Sequence, residues 1–303
     1  MVNTVVVTQT ILRWLLRLTT GIRPKQVELE PGTVINIWAP SSPPTTLKPA
    51  LVLIHGFGFN GILTWPLQIP SFASRYSVYV PDLLFFGGSS TDRPDRTPAF
   101  QAECVGRALR RLGVERCTVV GFSYGGAVGF KMGELFPGLV ESLVLTGSVM
   151  EFTESVSRNG LGRIGYDTWE EYMMPDSVEG FRRLLEHACY KPPWLPDRLV
   201  KDALKQVLFE HRKERAQLLD AMFIPDDDVA KLGSYCAQEI NFLWGEEDKL
   251  VDIQEGYDRI NRLLNGKATL KPIKKAGHLV QIERPCVYNR ILKDLLLSLH
   301  RGG

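Results

Sequence analysis

Four short, uninterrupted apolar runs follow one another after residue 49: "ALVLIH" ending at His55, "YSVYVPD" at Asp82, "CTVVGFS" at Ser123 and "SLVLTG" at Gly147. A strand that is apolar on both faces must be covered on both, and runs of this kind spaced by helical lengths of chain specify a parallel sheet between layers of helices. The spacers fit. In "TPAFQAECVGRALRRLG", Ala102, Val105, Leu109 and Leu112 recur on one helical face, and "YGGAVGFKMGELFP" stops at Pro137. Ahead of the runs, "KQVELEPGTVINIWA" reads as a hairpin turning at Pro31 and Gly32, followed by the exposed connection "PSSPPTTLKP".

The rhythm breaks after residue 150. Residues 151–228 hold helix-like pieces and no buried strand run, and the sheet pattern then resumes with "EINFLWG", "ATLKPIKKAGH" and a last helix in "VYNRILKDLLLSLH". Neither half of the sheet is complete alone, so the reading is one α/β core (residues 23–150 and 229–303) interrupted by a helical cap (151–228). An amphipathic helix (residues 1–22) precedes it. In that helix Ile11, Leu12, Leu15 and Leu16 are expected to form one apolar face, with Trp14 and Leu18 near its edges and Arg13 and Arg17 on the other side. Docking of this face on the protein body is the favoured reading; shallow contact with a membrane surface is the second.

The chain has 303 residues, 44% of them apolar, and a formal net charge of +2, a balance that gives no electrostatic case for nucleic acid. Cys104, Cys117, Cys189, Cys236 and Cys286 are odd in number and follow no CxxC or metal spacing, which points to reduced thiols in a cytoplasmic setting and to no metal. Oligomeric state stays open between monomer and dimer.

In "VVGFSYGG", residues 119–126, the pattern G-x-S-x-G falls where a strand gives way to a helix. There a tight turn lifts the serine hydroxyl out of the sheet, and glycines let the two backbones come close. Ser123 is therefore a candidate nucleophile, and a hydroxyl needs a base. His278, just past the last strand run, is placed to reach the same sheet edge. His187 and His211 lie in the insertion and His300 at the C-terminus, while His55, followed by a glycine-rich turn, is read as a brace for that turn. Asp248, four residues beyond Trp244, is the candidate acid. Glu246, Glu247 and Asp252 also satisfy the order of serine, acid and histidine, and are read as loop-solvating charges. An oxyanion would take backbone N–H groups from Tyr124, at the helix start, and Phe57, in "HGFG".

With "LIHGFG", Trp65, "VPDLLFFGGSS", "VVGFSYGG", "LWGEED", "AGHLVQIERP" and "YNRIL", essentially the whole chain resembles the α/β-hydrolase superfamily, in its epoxide hydrolase-like and meta-cleavage-product hydrolase-like branch. The resemblance implies a mostly parallel eight-stranded sheet with a helical cap between the sixth and seventh strands, and the same triad of Ser123, Asp248 and His278. Epoxide hydrolases of this branch carry aspartate at the elbow, and serine stands here. "GHLVQIERP" is similar to a segment of hydrolases that cleave carbon–carbon bonds in dienone acids, but Phe122 and Leu279 depart from their pattern. The expected function is a cofactor-independent serine hydrolase of a small, largely apolar ester, thioester or lactone. Dienone acid cleavage and a receptor role on the same fold are the alternatives. The cap is rich in large apolar side chains: Tyr166, Trp169, Tyr172, Met173, Met174, Phe181, Trp194 and Phe223. Arg158 and Arg163 are candidates to meet a substrate carboxylate.

Overall fold

The four apolar runs are neighbouring strands at the centre of one sheet. A computed structural model of the chain describes residues 3–42, 48–150, 152–205, 210–227, 239–254, 257–258, 261 and 268–299. The cap boundary expected at residue 228, Cys236, His300 and part of the "PSSPPTTLKP" connection lie outside these. In chain order the elements begin with α1 (Thr4–Thr20), the hairpin β1 (Ile22–Glu30) and β2 (Thr33–Pro40), and β3 (Ala50–Ile54). Then come α2 (Gly61–Thr64), α3 (Gln68–Phe72), β4 (Ser77–Pro81), β5 (Ser90–Thr91), α4 (Pro98–Arg111), β6 (Cys117–Phe122), α5 (Tyr124–Leu135) and β7 (Val140–Thr146). The insertion contributes β8 (Phe152–Thr153), α6 (Glu154–Ile164), α7 (Trp169–Met173), α8 (Val178–Ala188), α9 (Asp197–Ala203), α10 (Arg212–Asp220) and β9 (Phe223–Ile224). The chain closes with β10 (Glu239–Gly245), β11 (Thr269–Ile273), α11 (Val280–Glu283) and α12 (Pro285–Leu299).

The main sheet runs β1-β2-β4-β3-β6-β7-β10-β11, with β5 pairing on β2. The pairs from β4 to β11 are parallel, and the antiparallel ones lie at the β1–β2 edge. Alternation along the central strands shows why their sequences are apolar throughout. Val52, Val119 and Leu143 belong to the core on one face, with α4 and α5; Leu51, Leu53, Val120 and Val144 belong to the core on the other, with α3 and α12. Each such side chain, taken from water, stabilises the fold by about 1.5–3 kcal/mol. Thr97 starts α4 by accepting the Phe100 N–H at its hydroxyl, with Pro98 in the first turn where a missing N–H costs nothing.

Helices α6 to α10 leave the sheet after β7 and return before β10, forming the inserted cap. No strand is expected there from sequence, yet β8 and β9 pair in parallel, Phe152 opposite Phe223 and Thr153 opposite Ile224. Two residues are too few to carry a strand period.

Helix α1 bridges cap and core. Asn3 caps it, and the Thr4 N–H and hydroxyl both donate to the Asp202 carboxylate on α9 (2.8 and 2.7 Å). Leu16, 2% exposed, sits with Leu12 in the core beneath α3, and Val5 packs with the cap cluster of α8 and α9. The expected face is corrected here: Leu12 and Leu16 turn inward, but Ile11 and Leu15 are exposed. The inward stripe is centred one helical step away, on Val5, Leu12 and Leu16, because α1 must touch α9 at one end and α3 along its middle. Among the described residues no helix is long and apolar enough to cross a membrane.

Candidate active site

Ser123 stands between β6 and α5 with φ 51° and ψ −123°, a backbone region that a non-glycine residue occupies at a cost of about 1–3 kcal/mol. Hydrogen bonds hold it there. Its N–H donates to Thr146 O (2.9 Å), and its carbonyl accepts from the Gly126 N–H (2.8 Å) and the Ser148 hydroxyl (2.7 Å). The flanking glycines are steric necessities: a Cβ on Gly125 would lie 2.2 Å from the His55 carbonyl oxygen, and one on Gly121 2.4 Å from that of Gly125.

Three loops at the sheet edge bring the expected residues together. His278 Nε2 lies 3.0 Å from Ser123 Oγ, and His278 Nδ1 lies 2.8 Å from Asp248 Oδ2. The same carboxylate accepts from Trp244 Nε1 (3.0 Å) and from the Leu250 and Val251 N–H groups (2.9 and 3.2 Å). A carboxylate so surrounded only accepts, so Nδ1 carries the proton and Nε2 is left to accept from the serine hydroxyl. Gly147 keeps the space beside the imidazole open; a Cβ there would sit 3.1 Å from His278 Nδ1.

Phe57, 8% exposed, and Tyr124, the first residue of α5, flank Ser123. Gly56 brings the Phe57 turn against the elbow: a Cβ on it would stand 3.1 Å from Ser123 Cβ. His55 is fully buried below this turn. It accepts the Leu83 N–H at Nε2 (2.9 Å), which puts its proton on Nδ1, donating to the Gly56 carbonyl (2.7 Å). His187 packs against the Tyr172 ring and His211 against Phe85.

Two cavities meet at the nucleophile, with about 660 and about 500 Å3 of empty space including their mouths; Ser123, His278, Phe57, Met173 and Leu250 line both. The first continues between Tyr172, Phe181, Leu184, Leu279 and Ile282. The second runs between Phe152, Trp169, Leu219, Met222 and Phe223. The cap thus places Trp169, Tyr172, Met173, Phe181 and Phe223 on these walls, whereas Tyr166 and Met174 are not among the lining residues and Trp194 is 81% exposed. Arg158 points outward, paired with Asp226 (3.8 Å), and Arg163 donates to the Leu250 carbonyl (3.0 Å). Neither is among the residues lining these two cavities. Among the described residues there is no cluster of three or more His, Cys, Asp or Glu side chains able to hold a metal ion.

Residues 49–285 match the family described as the alpha/beta hydrolase fold. The chain belongs to that family. An uncharacterized protein of Mycobacterium tuberculosis is 40% identical over 100 residues, 33% of this α/β hydrolase and 29% of that protein, so the match spans less than a third of this relative's length. The 2-hydroxy-6-oxo-2,4-heptadienoate hydrolase of Pseudomonas putida is 26% identical, covering 82% of this chain and 89% of that one. Among solved structures, a protein of Acinetobacter baumannii assigned as a lipase superposes with a TM-score of 0.83 over 97% of both chains at 20% identity, a likeness of fold.

Two carboxylates of this α/β hydrolase do more than the sequence reading gave them. Glu247, expected only to solvate its loop, accepts the N–H groups of Lys275 and Ala276 (3.0 and 2.9 Å) and so anchors the segment leading to His278. Glu283 accepts from Gly277 at one oxygen (2.8 Å) and from Tyr190 and Lys191 of the cap at the other (2.7 and 3.3 Å). The Leu279 N–H also donates to the Ala188 carbonyl at the end of α8 (3.1 Å). Glu246 is exposed and Asp252 accepts from the Gln254 N–H, consistent with loop roles. The glutamate of "GHLVQIERP" was visible in the sequence, but its partners in the cap were not.

Proposed function

We propose that the protein is a serine hydrolase of carboxylic esters, thioesters or lactones that are apolar on both sides of the carbonyl. One observation carries the reading: Ser123 Oγ, in line with His278 and Asp248, lies where two apolar cavities meet. His278 takes the hydroxyl proton as Ser123 attacks the carbonyl, Asp248 holds the imidazole and offsets its charge, and the Phe57 and Tyr124 N–H groups receive the oxyanion. The imidazolium then protonates the leaving group. Water, activated by the same histidine, releases the acid from Ser123.

The similarity to the Pseudomonas putida dienoate hydrolase keeps carbon–carbon bond cleavage as the second reading. A dienone acid brings a carboxylate, and no lysine or arginine lines either cavity among the described residues. The polar walls are few. Gln281, fully buried three residues past His278, lines the first cavity with an amide that has no protein partner, which suits an uncharged hydrogen-bonding group of the substrate.

The test is turnover of matched ester, thioester, lactone and dienone acid panels by the parent and by Ser123→Ala. The parent is expected to hydrolyse the uncharged esters and to react with a fluorophosphonate. Ser123→Ala is expected to lose labelling and about 10⁴-fold or more of the rate without losing its fold. Parental rates in the purified variant would overturn the role of Ser123. Turnover of the dienone acid alone would overturn the ester reading, and binding without any turnover would favour a receptor.

A further inference from the structure

Helix α1 is apolar on two opposite faces, and the fold uses one of them. Val5, Leu12 and Leu16 face the protein body. Val7, Ile11, Trp14 and Leu18, spaced i, i+4, i+7 and i+11, make a second stripe that is 41, 53, 59 and 64% exposed, widened by Leu15. A helix needs one apolar face to dock. The outer stripe adds nothing to that docking and leaves Trp14 and Leu18 in water.

This stripe belongs to a larger surface. Leu67, exposed, precedes α3, against which α1 packs, and its carbonyl accepts from Asn289. Gln68 beside it donates to the Gln281 carbonyl, and Ile282 next in sequence is 40% exposed while lining the first cavity. Tyr190, exposed, is tied to this turn through Glu283, and Trp194 lies just ahead of α9, which holds the start of α1. Of the eleven large apolar side chains exposed among the described residues, only Leu135, at the end of α5 far from Ser123, lies apart from these elements. Helix α1 itself carries Arg13 and Arg17, both exposed, and no Asp or Glu, the Arg17 guanidinium lying over the Trp38 ring; α9 beside it carries Arg198 and Lys201 with Asp197 and Asp202.

We propose that this face docks on an anionic phospholipid surface, α1 lying in the headgroup boundary with the mouth of the first cavity at Ile282 turned toward the lipid. A tryptophan and leucines on one side of a helix bordered by arginines suit that boundary, where apolar chains meet phosphates. A second copy of the chain fits less well. Twofold pairing of α1 with itself would set Arg13 and Arg17 near their counterparts, with no acid on the helix to meet them. The proposal is independent of the chemistry at Ser123.

Full-length Ser123→Ala protein, in which lipid hydrolysis does not intervene, is sedimented with vesicles of phosphatidylcholine alone or mixed with phosphatidylserine. It is expected to pellet with the mixed vesicles, less with phosphatidylcholine, and less at high salt. Adding Ile11→Glu, Trp14→Glu and Leu18→Glu is expected to cut the bound fraction about tenfold at an unchanged thermal midpoint, since these side chains point away from the body. Trp14→Ser alone gives a smaller loss in the same direction and serves if the triple variant is unstable. Protein that stays in the supernatant with both vesicles overturns the proposal, as does glutamate-bearing protein that pellets like its parent. A dimer in equilibrium sedimentation that the glutamates dissociate, without vesicle binding, would assign the face to a second copy instead.

Discussion

Burial holds His55 neutral, its pKa pushed down to about 4 by loss of hydration against a weaker upward pull from the Gly56 carbonyl. An unfolded histidine titrates near 6.5, so between those values the unfolded chain binds more protons than the folded one. His55 therefore contributes stability that is complete above pH 6.5 and is lost as the pH falls toward 4, by about 1.4 kcal/mol per unit at its steepest. Denaturant unfolding of the parent and of His55→Gln across this range is expected to show a shallower acid loss in the variant; parallel curves would show that another group sets the slope. At this scale the sequence was legible wherever a residue closes an apolar run, as Ser123 and His55 do, or follows one at short range, as Asp248 and His278 do. It took Glu247 for a loop-solvating charge and gave Glu283 no role, because the Lys275 and Ala276 partners of the one and the Tyr190 and Lys191 partners of the other are distant along the chain.

The two-armed cavity makes separate predictions for separate cap elements. Phe181, on α8, lines only the first arm, and Phe223, on β9, only the second. Phe181→Ala is expected to change kcat/KM by roughly tenfold or more across an ester series lengthened on one side of the carbonyl, and Phe223→Ala across the series lengthened on the other. Equal losses on every substrate in both variants would mean that the cap supports the triad rather than sorting substrates. The cap was readable as helical because its longer helices, α6 and α8 with eleven residues each and α10 with nine, run for two to three turns. Which of their side chains reach the cavities was not, since Tyr166, half-buried against the Tyr172 ring, and Trp194, left in solvent, look the same in sequence as Tyr172 and Trp169.

Over the whole molecule, α1 clasps the cap at Asp202 and the core at Leu16. Removing residues 1–20 is expected to lower the thermal midpoint, on the order of 5 °C, through the loss of a buried leucine and of those hydrogen bonds. A calorimetric scan showing no change would mean that the clasp adds nothing to the folded state. The parallel sheet could be read from its doubly buried strands, but a helix apolar on two opposite faces does not show which of them docks, which is why Ile11 and Leu15 were assigned inward. Glu283 joins the same two layers, one oxygen on the Gly277 N–H just before His278 and the other on the Tyr190 and Lys191 N–H groups just after α8. Because one carboxylate holds both, any ligand that displaces the cap at Tyr190 would also disturb the turn that carries the imidazole, and a change at that turn would be felt in the cap.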